Sequence, residues 1–126
     1  MTVAPSSSDR MVVLVVEDEP LVCAMAADVL EEAGFEVIEA PTADHALTVL
    51  ESRSDVRVLF TDVEMPGRRN DFELARIVED HHHRIRVIIG SGRARPAAGD
   101  MSPASIFLSK PYTPDALVKA VRTVLV

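Results

Sequence analysis

The sequence has too few cysteines to cross-link a small fold by disulfides, and it lacks the long apolar runs that anchor a chain in a membrane. One cysteine, Cys23, stands among 126 residues, so an internal disulfide is excluded and a reducing compartment is expected. Aromatic residues make up 4% of the chain, so aliphatic side chains must form most of any core. No apolar run approaches the roughly 18 to 20 residues of a membrane-spanning helix, and residues 1–10 lack the apolar segment of a secretory signal. We therefore expect a cytoplasmic protein without membrane contacts.

Basic residues are also few relative to acidic ones. Lys and Arg total 13 against 20 Asp and Glu, which gives a net charge of −7 and a pI near 5.0. A chain of this charge repels phosphate backbones, so we expect no direct binding to nucleic acid. The hydrophobic share of 48% and the charged share of 26% are typical of a globular protein. We expect a disordered tail over residues 1–10 and a single domain over residues 11–126.

Short apolar runs alternate with segments of helical periodicity. The runs are rich in Val, Ile and Leu, which is typical of strands buried on both faces. They cover residues 11–16, 35–39, 56–61, 86–90 and 105–109. Elsewhere apolar residues recur at three- and four-residue steps, which predicts helices. These helices begin at Pro20, after Thr42, near Asp71 and after Thr113, and Gly34 is expected to end the first of them.

The alternation predicts an α/β fold. Strands separated by helices pair in parallel through right-handed crossovers. We therefore expect five buried strands in one doubly wound sheet, with helices on both faces. In such sheets ligands bind beyond the carboxyl ends of the strands. The residues that follow the predicted strands are thus the first candidates for a functional site.

Charged and hydroxyl side chains follow four of the predicted strands. Glu17 and Asp18 follow the first strand, Asp62 the third, Ser91 the fourth and Lys110 the fifth. Clustered carboxylates repel one another, and a hard divalent cation such as Mg²⁺ relieves the repulsion. An aspartate can attack a phosphoryl group, and a metal, a lysine and a hydroxyl can neutralise the charge on that group. The set therefore favours phosphoryl transfer to Asp62, which lies on the middle strand of the chain.

The motifs that carry these residues resemble those of response regulator receiver domains in two-component signalling. They read Glu17-Asp18-Glu19-Pro20, Thr61-Asp62 followed by Met65-Pro66-Gly67, Ser91-Gly92, and Lys110-Pro111. The four motifs occur in order, with separations of 44 residues (18 to 62), 29 residues (62 to 91) and 19 residues (91 to 110). The resemblance covers about residues 11–126. It implies a flavodoxin-like sheet with strand order 2-1-3-4-5.

By this resemblance, Asp62 is the phosphoacceptor. Asp18 and Asp62 would bind Mg²⁺ directly, the backbone carbonyl of Glu64 would be the third protein ligand, and Glu17 would act through metal-bound water. The phosphoryl group would come from a sensor histidine kinase or a histidine phosphotransfer protein. The resemblance implies a regulator rather than an enzyme, with only limited self-phosphorylation and autodephosphorylation.

The same resemblance assigns the residues of a switch. Lys110 would pair with the phosphoryl oxygens, and the Lys110–Pro111 peptide bond would be cis. Ser91 would move its hydroxyl toward the phosphoryl group, and Gly92 would leave room for that movement. Phe107 would turn inward in response, so that a binding surface elsewhere on the domain changes. The sequence does not specify the downstream protein partner.

Two segments depart from the receiver pattern. Residues 92–103 contain two prolines and two glycines, which disfavour a regular helix. We therefore expect the helix that receivers carry between the fourth and fifth strands to be absent or a single turn. A dimer built on that helix should then not form unchanged. The loop after Met65-Pro66-Gly67 has Asp71 where receivers carry glycine.

The sequence leaves one alternative function open and argues against two others. The altered loops allow a receiver-fold interaction module with weak or no phosphorylation. A Mg²⁺-dependent phosphatase would carry a second aspartate two residues after the nucleophile, where this chain has Glu64. A flavin or nucleotide binder would need a loop rich in Gly, Ser or Thr after the first strand, where this chain has Glu17-Asp18-Glu19-Pro20. We expect either a stand-alone receiver, which Met1 and the polar tail favour, or a fragment of a larger regulator or hybrid kinase.

Overall fold

The computed structural model describes residues 11–62, 72–82, 84–91 and 105–125. The strands in these ranges are β1 (Val12–Val16), β2 (Glu36–Ala40), β3 (Val56–Asp62), β4 (Arg86–Ser91) and β5 (Ile106–Ser109). The helices are α1 (Pro20–Glu32), α2 (Ala43–Ser52), α3 (Phe72–His81) and α4 (Pro114–Val124). The predicted tail over residues 1–10 and the predicted loss of a helix after Ser91 fall outside the described residues.

All five strands form one parallel sheet in the order β2-β1-β3-β4-β5, which confirms the predicted fold class. The three central strands are buried except at Arg57 and Arg86, near the start of β3 and β4. Most residues of β2 and β5 are only half-buried, because each of these strands has a neighbour on one side alone. The prediction of five buried strands is therefore right for the central three and wrong for the two edges.

Two apolar layers, one on each face of the sheet, hold the helices. Leu14 of β1 belongs to the layer that packs against α2 and α3, together with Val78. Val15 belongs to the opposite layer, which packs against α1 and α4, together with Leu117. Successive side chains of a strand point to opposite faces, so one short apolar run supplies both layers. β3, β4 and β5 end in the polar residues Asp62, Ser91 and Ser109.

Local sequence fixes the ends of three helices. Thr42 and Thr113 are the N-caps of α2 and α4, and their hydroxyl oxygens accept hydrogen bonds from the backbone N–H groups of His45 (3.1 Å) and Ala116 (3.0 Å). After α1, Gly34 has a φ angle of +103°, a conformation that glycine adopts at no steric cost. These caps match the ones that the sequence predicts.

Replacing Thr113 by alanine is expected to lower the free energy of unfolding by about 1 kcal/mol, because the N–H of Ala116 then loses its acceptor. Urea denaturation measures the change. Thr123→Ala is the matched control, since Thr123 lies in the same helix and its hydroxyl donates to the Lys119 carbonyl at 2.7 Å without capping an N–H. Its expected effect is within about 0.5 kcal/mol. Equal losses in the two variants would contradict the capping role.

The single cysteine is part of the core. Cys23 is a free, buried residue of α1. Burial raises the pKa of its thiol to about 12, and the nearby Glu39 carboxylate acts in the same direction. Because the thiolate is the reactive form of cysteine, Cys23 behaves as a small apolar side chain.

The predicted element ends lie close to the observed ones. β1 begins at Val12 rather than Met11, β4 continues to Ser91 rather than ending at Gly90, and α3 ends at His81 rather than Asp80. Over the described ranges the longest helix, α1, has 13 residues. None of the helices in those ranges combines the length and apolar character that crossing a bilayer demands.

Candidate functional site

The register of the central strands brings two carboxylates together at one edge of the sheet. β1 and β3 pair Val16 with Thr61, so the next residues along, Glu17 and Asp62, lie side by side. Both are buried, each with 6% of its surface exposed. The backbone N–H of Glu19 donates a hydrogen bond to Glu17 Oε2 at 3.0 Å, which orients that carboxyl group. Two carboxyl groups this close disfavour each other's ionisation, and Asp62 accordingly acts to raise the pKa of Glu17.

The end of the fifth strand supplies a cation to this pair. Lys110 follows β5 directly, and its backbone N–H donates to the Ser91 carbonyl oxygen at 2.8 Å. Lys110 Nζ lies 2.6 Å from Asp62 Oδ2 and 3.7 Å from Glu17 Oε1. The peptide bond between Lys110 and Pro111 is cis. Glu17, Asp62 and Lys110, all singled out in the sequence, thus form one group that we call the acid–lysine cluster.

With both carboxyl groups ionised, the acid–lysine cluster would hold more negative charge than one ammonium offsets. Burial and the contact with Asp62 raise the pKa of Glu17 to about 8, although the Glu19 N–H and Lys110 act in the opposite direction. Burial lowers the pKa of Lys110, but its contacts with Asp62 and Glu17 outweigh burial and the pKa lies above its ordinary value. Lys110 is therefore a fixed positive charge at neutral pH. The carboxyl pair favours a further proton or a metal cation.

The oxygen donors of this edge fit a hard divalent cation. Asp18, half-buried, directly follows Glu17, and Mg²⁺ prefers carboxylate oxygens and water. The pKa of Glu17 is raised first by burial and then by Asp62, and a cation beside it would favour the ionised carboxylate again. Within the described ranges no three His, Cys, Asp or Glu side chains form a metal-holding group, so a cation here would also draw on water or backbone oxygens. Glu64 and Gly92, two of the predicted site residues, lie outside the described residues.

Two hydroxyl groups are buried near the cluster. Ser91 Oγ and Thr61 Oγ1 have no hydrogen-bond partner among the groups that the structure describes. β3 and β4 pair Asp62 with Gly90, so Ser91 lies one residue beyond the level of Asp62. Leaving a hydroxyl buried without a partner costs about 1–3 kcal/mol, so an acceptor that reached Ser91 would be bound favourably. Phe107, the other predicted switch residue, is half-buried and packs against the layer beneath α2 and α3.

Comparison with known proteins identifies the family. The model of the response regulator receiver domain matches residues 13–122, which is most of the chain. The chain belongs to the family of response regulator receiver domains. The resemblance carried by the four sequence motifs is thereby confirmed, and the class of function is two-component signalling.

Relatives and solved structures resemble this receiver over most of its length. The nitrogen assimilation regulatory protein NtrX of Azorhizobium caulinodans is 32% identical over an alignment of 110 residues that covers 84% of the receiver chain and 24% of NtrX. The chemotaxis protein CheY1 of Helicobacter pylori is 28% identical, over 91% of the receiver chain and 97% of CheY1. A crystal structure of a response regulator receiver protein from Sinorhizobium medicae has a TM-score of 0.85 at 25% identity and covers 93% of the receiver chain and 95% of its own. The receiver chain spans about a quarter of NtrX and nearly all of CheY1.

The site of the receiver also has an aromatic pair that the sequence patterns did not single out. The Tyr112 ring packs edge-on against the Phe60 ring, with 5.7 Å between centroids and an interplanar angle of 76°. Phe60 lies two residues before Asp62, and Tyr112 two residues after Lys110. The sequence could have drawn attention to one member of the pair. Tyr112 is the one tyrosine of the chain, and it directly follows the Lys110-Pro111 motif.

Proposed function

We propose that this receiver is a phosphoacceptor switch in which Asp62 takes a phosphoryl group from a phosphohistidine of a sensor histidine kinase or histidine phosphotransfer protein. A carboxylate oxygen bonds to phosphorus as the P–N bond breaks, and the departing imidazole nitrogen takes up a proton. The observation that carries the proposal is the Asp62 carboxylate at the end of the central strand β3, with Lys110 Nζ 2.6 Å away. A nucleophile and a fixed positive charge for the phosphoryl oxygens are thus adjacent.

Mg²⁺ is the cofactor that this edge of the sheet favours. Asp18 and Asp62 would hold it, with Glu17 reaching it through water and the backbone carbonyl of Glu64 as a further ligand. When bound, the cation would offset the negative charge of the carboxylates and of the phosphoryl oxygens. The protein's own contribution is separate from the cation: Lys110 keeps a positive charge at Asp62, and the Glu19 N–H orients Glu17.

The switch follows from the charge that a phosphoryl group brings. It adds close to two negative charges at neutral pH and three strong acceptor oxygens. Lys110 gains acceptors, and the Ser91 hydroxyl, which has no partner among the described groups, gains one as well. Ser91 then moves toward the phosphoryl group and Phe107 turns inward. The surface around β5 changes as a result, and a downstream protein recognises the change.

Labelling with acetyl phosphate tests this function. In the presence of Mg²⁺, the intact protein is expected to gain one phosphoryl mass, in an adduct that is stable in acid and labile in base as an acyl phosphate is. EDTA added before the donor is expected to abolish the adduct, because the uncompensated carboxylates then repel the anionic donor, and added Mg²⁺ should restore it. If no adduct forms with Mg²⁺ present, the proposal is wrong and a receiver-fold interaction module is favoured instead.

A further inference from the structure

Two contacts outside the acid–lysine cluster fix the chain on either side of the lysine side chain. On one side, the backbone N–H of Lys110 donates to the Ser91 carbonyl oxygen at 2.8 Å. On the other side, the Tyr112 ring packs against the Phe60 ring. The Lys110 side chain itself keeps 29% of its surface exposed. Burial of the side chain alone therefore does not fix where the ammonium points.

Phe60 provides Tyr112 with a rigid partner. It belongs to β3, which is hydrogen-bonded to a neighbour on each side, and it is 4% exposed. Phe60 and Asp62 lie on the same face of β3, because side chains alternate along a strand. The ring that Tyr112 contacts and the carboxylate that Lys110 contacts are thus carried by one central strand. The distance between the two contacts on β3 is fixed by the strand itself.

Gly90 leaves the space in which the Phe60 ring lies. A Cβ atom at Gly90 would be 3.1 Å from Phe60 Cε1 and 3.4 Å from Phe60 Cζ, closer than the roughly 3.5–4.0 Å of a favourable carbon contact. Gly90 pairs with Asp62 across β3 and β4, so this space opens beside the cluster. A methyl group at this position would require the Phe60 ring, which Tyr112 contacts, to shift by a few tenths of an ångström.

We propose that Tyr112 is a positioning residue: its ring packs edge-on against the Phe60 ring, which lies in the space that Gly90 leaves, and thereby holds the Lys110 ammonium on the Asp62 carboxylate. Only Pro111 separates the two residues, so a displaced Tyr112 backbone also displaces that of Lys110. The contact is made by the ring, which predicts that phenylalanine can replace Tyr112. The effect on phosphoryl binding rests on the proposed function, whereas the contact between Lys110 and Asp62 is independent of it.

Exchange of the lysine ammonium protons with water reports whether the Lys110 ammonium stays on the Asp62 carboxylate. The chain has only two lysines, Lys110 and Lys119, so their signals are readily distinguished. NMR spectra of protein labelled with ¹⁵N-lysine report their exchange with water, and the exposed Lys119 on α4 is the internal reference. In the native protein, exchange at Lys110 is expected to be slower than at Lys119. Tyr112→Ala is expected to accelerate exchange at Lys110 roughly two- to tenfold, the factor that corresponds to the loss of one aromatic pair. Tyr112→Phe and the Lys119 signal should show no acceleration.

Two further variants distinguish positioning from a general loss of packing. Gly90→Ala leaves Lys110 and Tyr112 unaltered and disturbs the ring pair through Phe60, so it should accelerate Lys110 exchange by a smaller factor. Phe35→Ala removes a buried ring from the same core layer, at the other end of the sheet, and should not change Lys110 exchange.

The proposal is overturned if Lys110 exchanges as fast as Lys119 in the native protein, or if Phe35→Ala accelerates Lys110 exchange as much as Tyr112→Ala does. It is also overturned if neither Tyr112→Ala nor Gly90→Ala accelerates exchange. Gly90→Ala and Tyr112→Phe retain both neighbouring rings, so they remain informative if Tyr112→Ala does not fold. None of these measurements uses a phosphodonor, so their failure is distinguishable from failure to phosphorylate Asp62.

Discussion

Asp62→Asn protein is expected to gain no phosphoryl group from acetyl phosphate under conditions in which the native protein gains one. The amide has nearly the volume of the carboxylate but lacks its nucleophilic oxygen. Glu17 is the nearest replacement, yet burial and the contact with Asp62 raise its pKa to about 8, so it is mostly protonated at neutral pH. Intact-protein mass spectrometry after labelling measures the adduct.

Asp55→Asn is the matched control for that experiment. Asp55 lies just before β3, at the end opposite Asp62, with its carboxylate 2.6 Å from the Arg53 guanidinium. This variant should be labelled as the native protein is, and circular dichroism should show that both variants are folded. An adduct that persists in Asp62→Asn would move the phosphoacceptor to another residue. Loss of the adduct in a folded Asp55→Asn protein would also contradict the assignment.

Folding stability without Mg²⁺ is expected to fall as the pH rises from about 5 to 8, and Glu17→Gln should remove much of the fall. The pKa of Glu17 is about 8 in the folded protein, against roughly 4.3 in an unfolded chain. Between these values the folded state holds a proton at Glu17 that the unfolded state has released. Each pH unit therefore lowers the free energy of unfolding by up to about 1.4 kcal/mol. Below this window the stabilisation is fully present, and above it the contribution of Glu17 is lost.

Urea denaturation in EDTA at pH 5, 6, 7 and 8 measures this dependence. Other groups titrate in the same range, so the informative quantity is the difference in stability between Glu17→Gln and the native protein, which should grow with pH. Glu51→Gln is the control, because Glu51 is exposed on α2 and its variant should follow the native protein. A difference between Glu17→Gln and native protein that is the same at every pH would contradict the buried contact between Glu17 and Asp62.

The parts of this structure that depend on local pattern or on topology were predictable from the sequence. The uninterrupted apolar run of β1 predicts a central strand, and all five of its residues are buried. Thr42 and Thr113 are caps because a hydroxyl that reaches an N–H three residues away needs no distant partner. Parallel strands end at the same edge of a sheet, so the residues at the carboxyl ends of β1, β3 and β5 were expected to converge, and Glu17, Asp62 and Lys110 do so.

The parts that depend on packing between distant segments were not predictable in this way. Half-burial of β2 and β5 follows from their places at the edges, which short apolar runs do not encode. The pairing of Phe60 with Tyr112 depends on the space at Gly90, on a third segment of the chain. The raised pKa of Glu17 depends on how deeply the carboxyl lies and how near Asp62 is. Composition and periodicity specify neither depth nor distance.

The most direct test of the central claim identifies the residue that carries the phosphoryl group. Borohydride reduces an aspartyl phosphate to the alcohol of homoserine and releases phosphate, and peptide mass spectrometry then locates the homoserine. After treatment with acetyl phosphate and Mg²⁺, we predict homoserine in place of Asp62 and at no other aspartate. Homoserine at a different aspartate, with Asp62 unmodified, would contradict the claim that Asp62 is the phosphoacceptor.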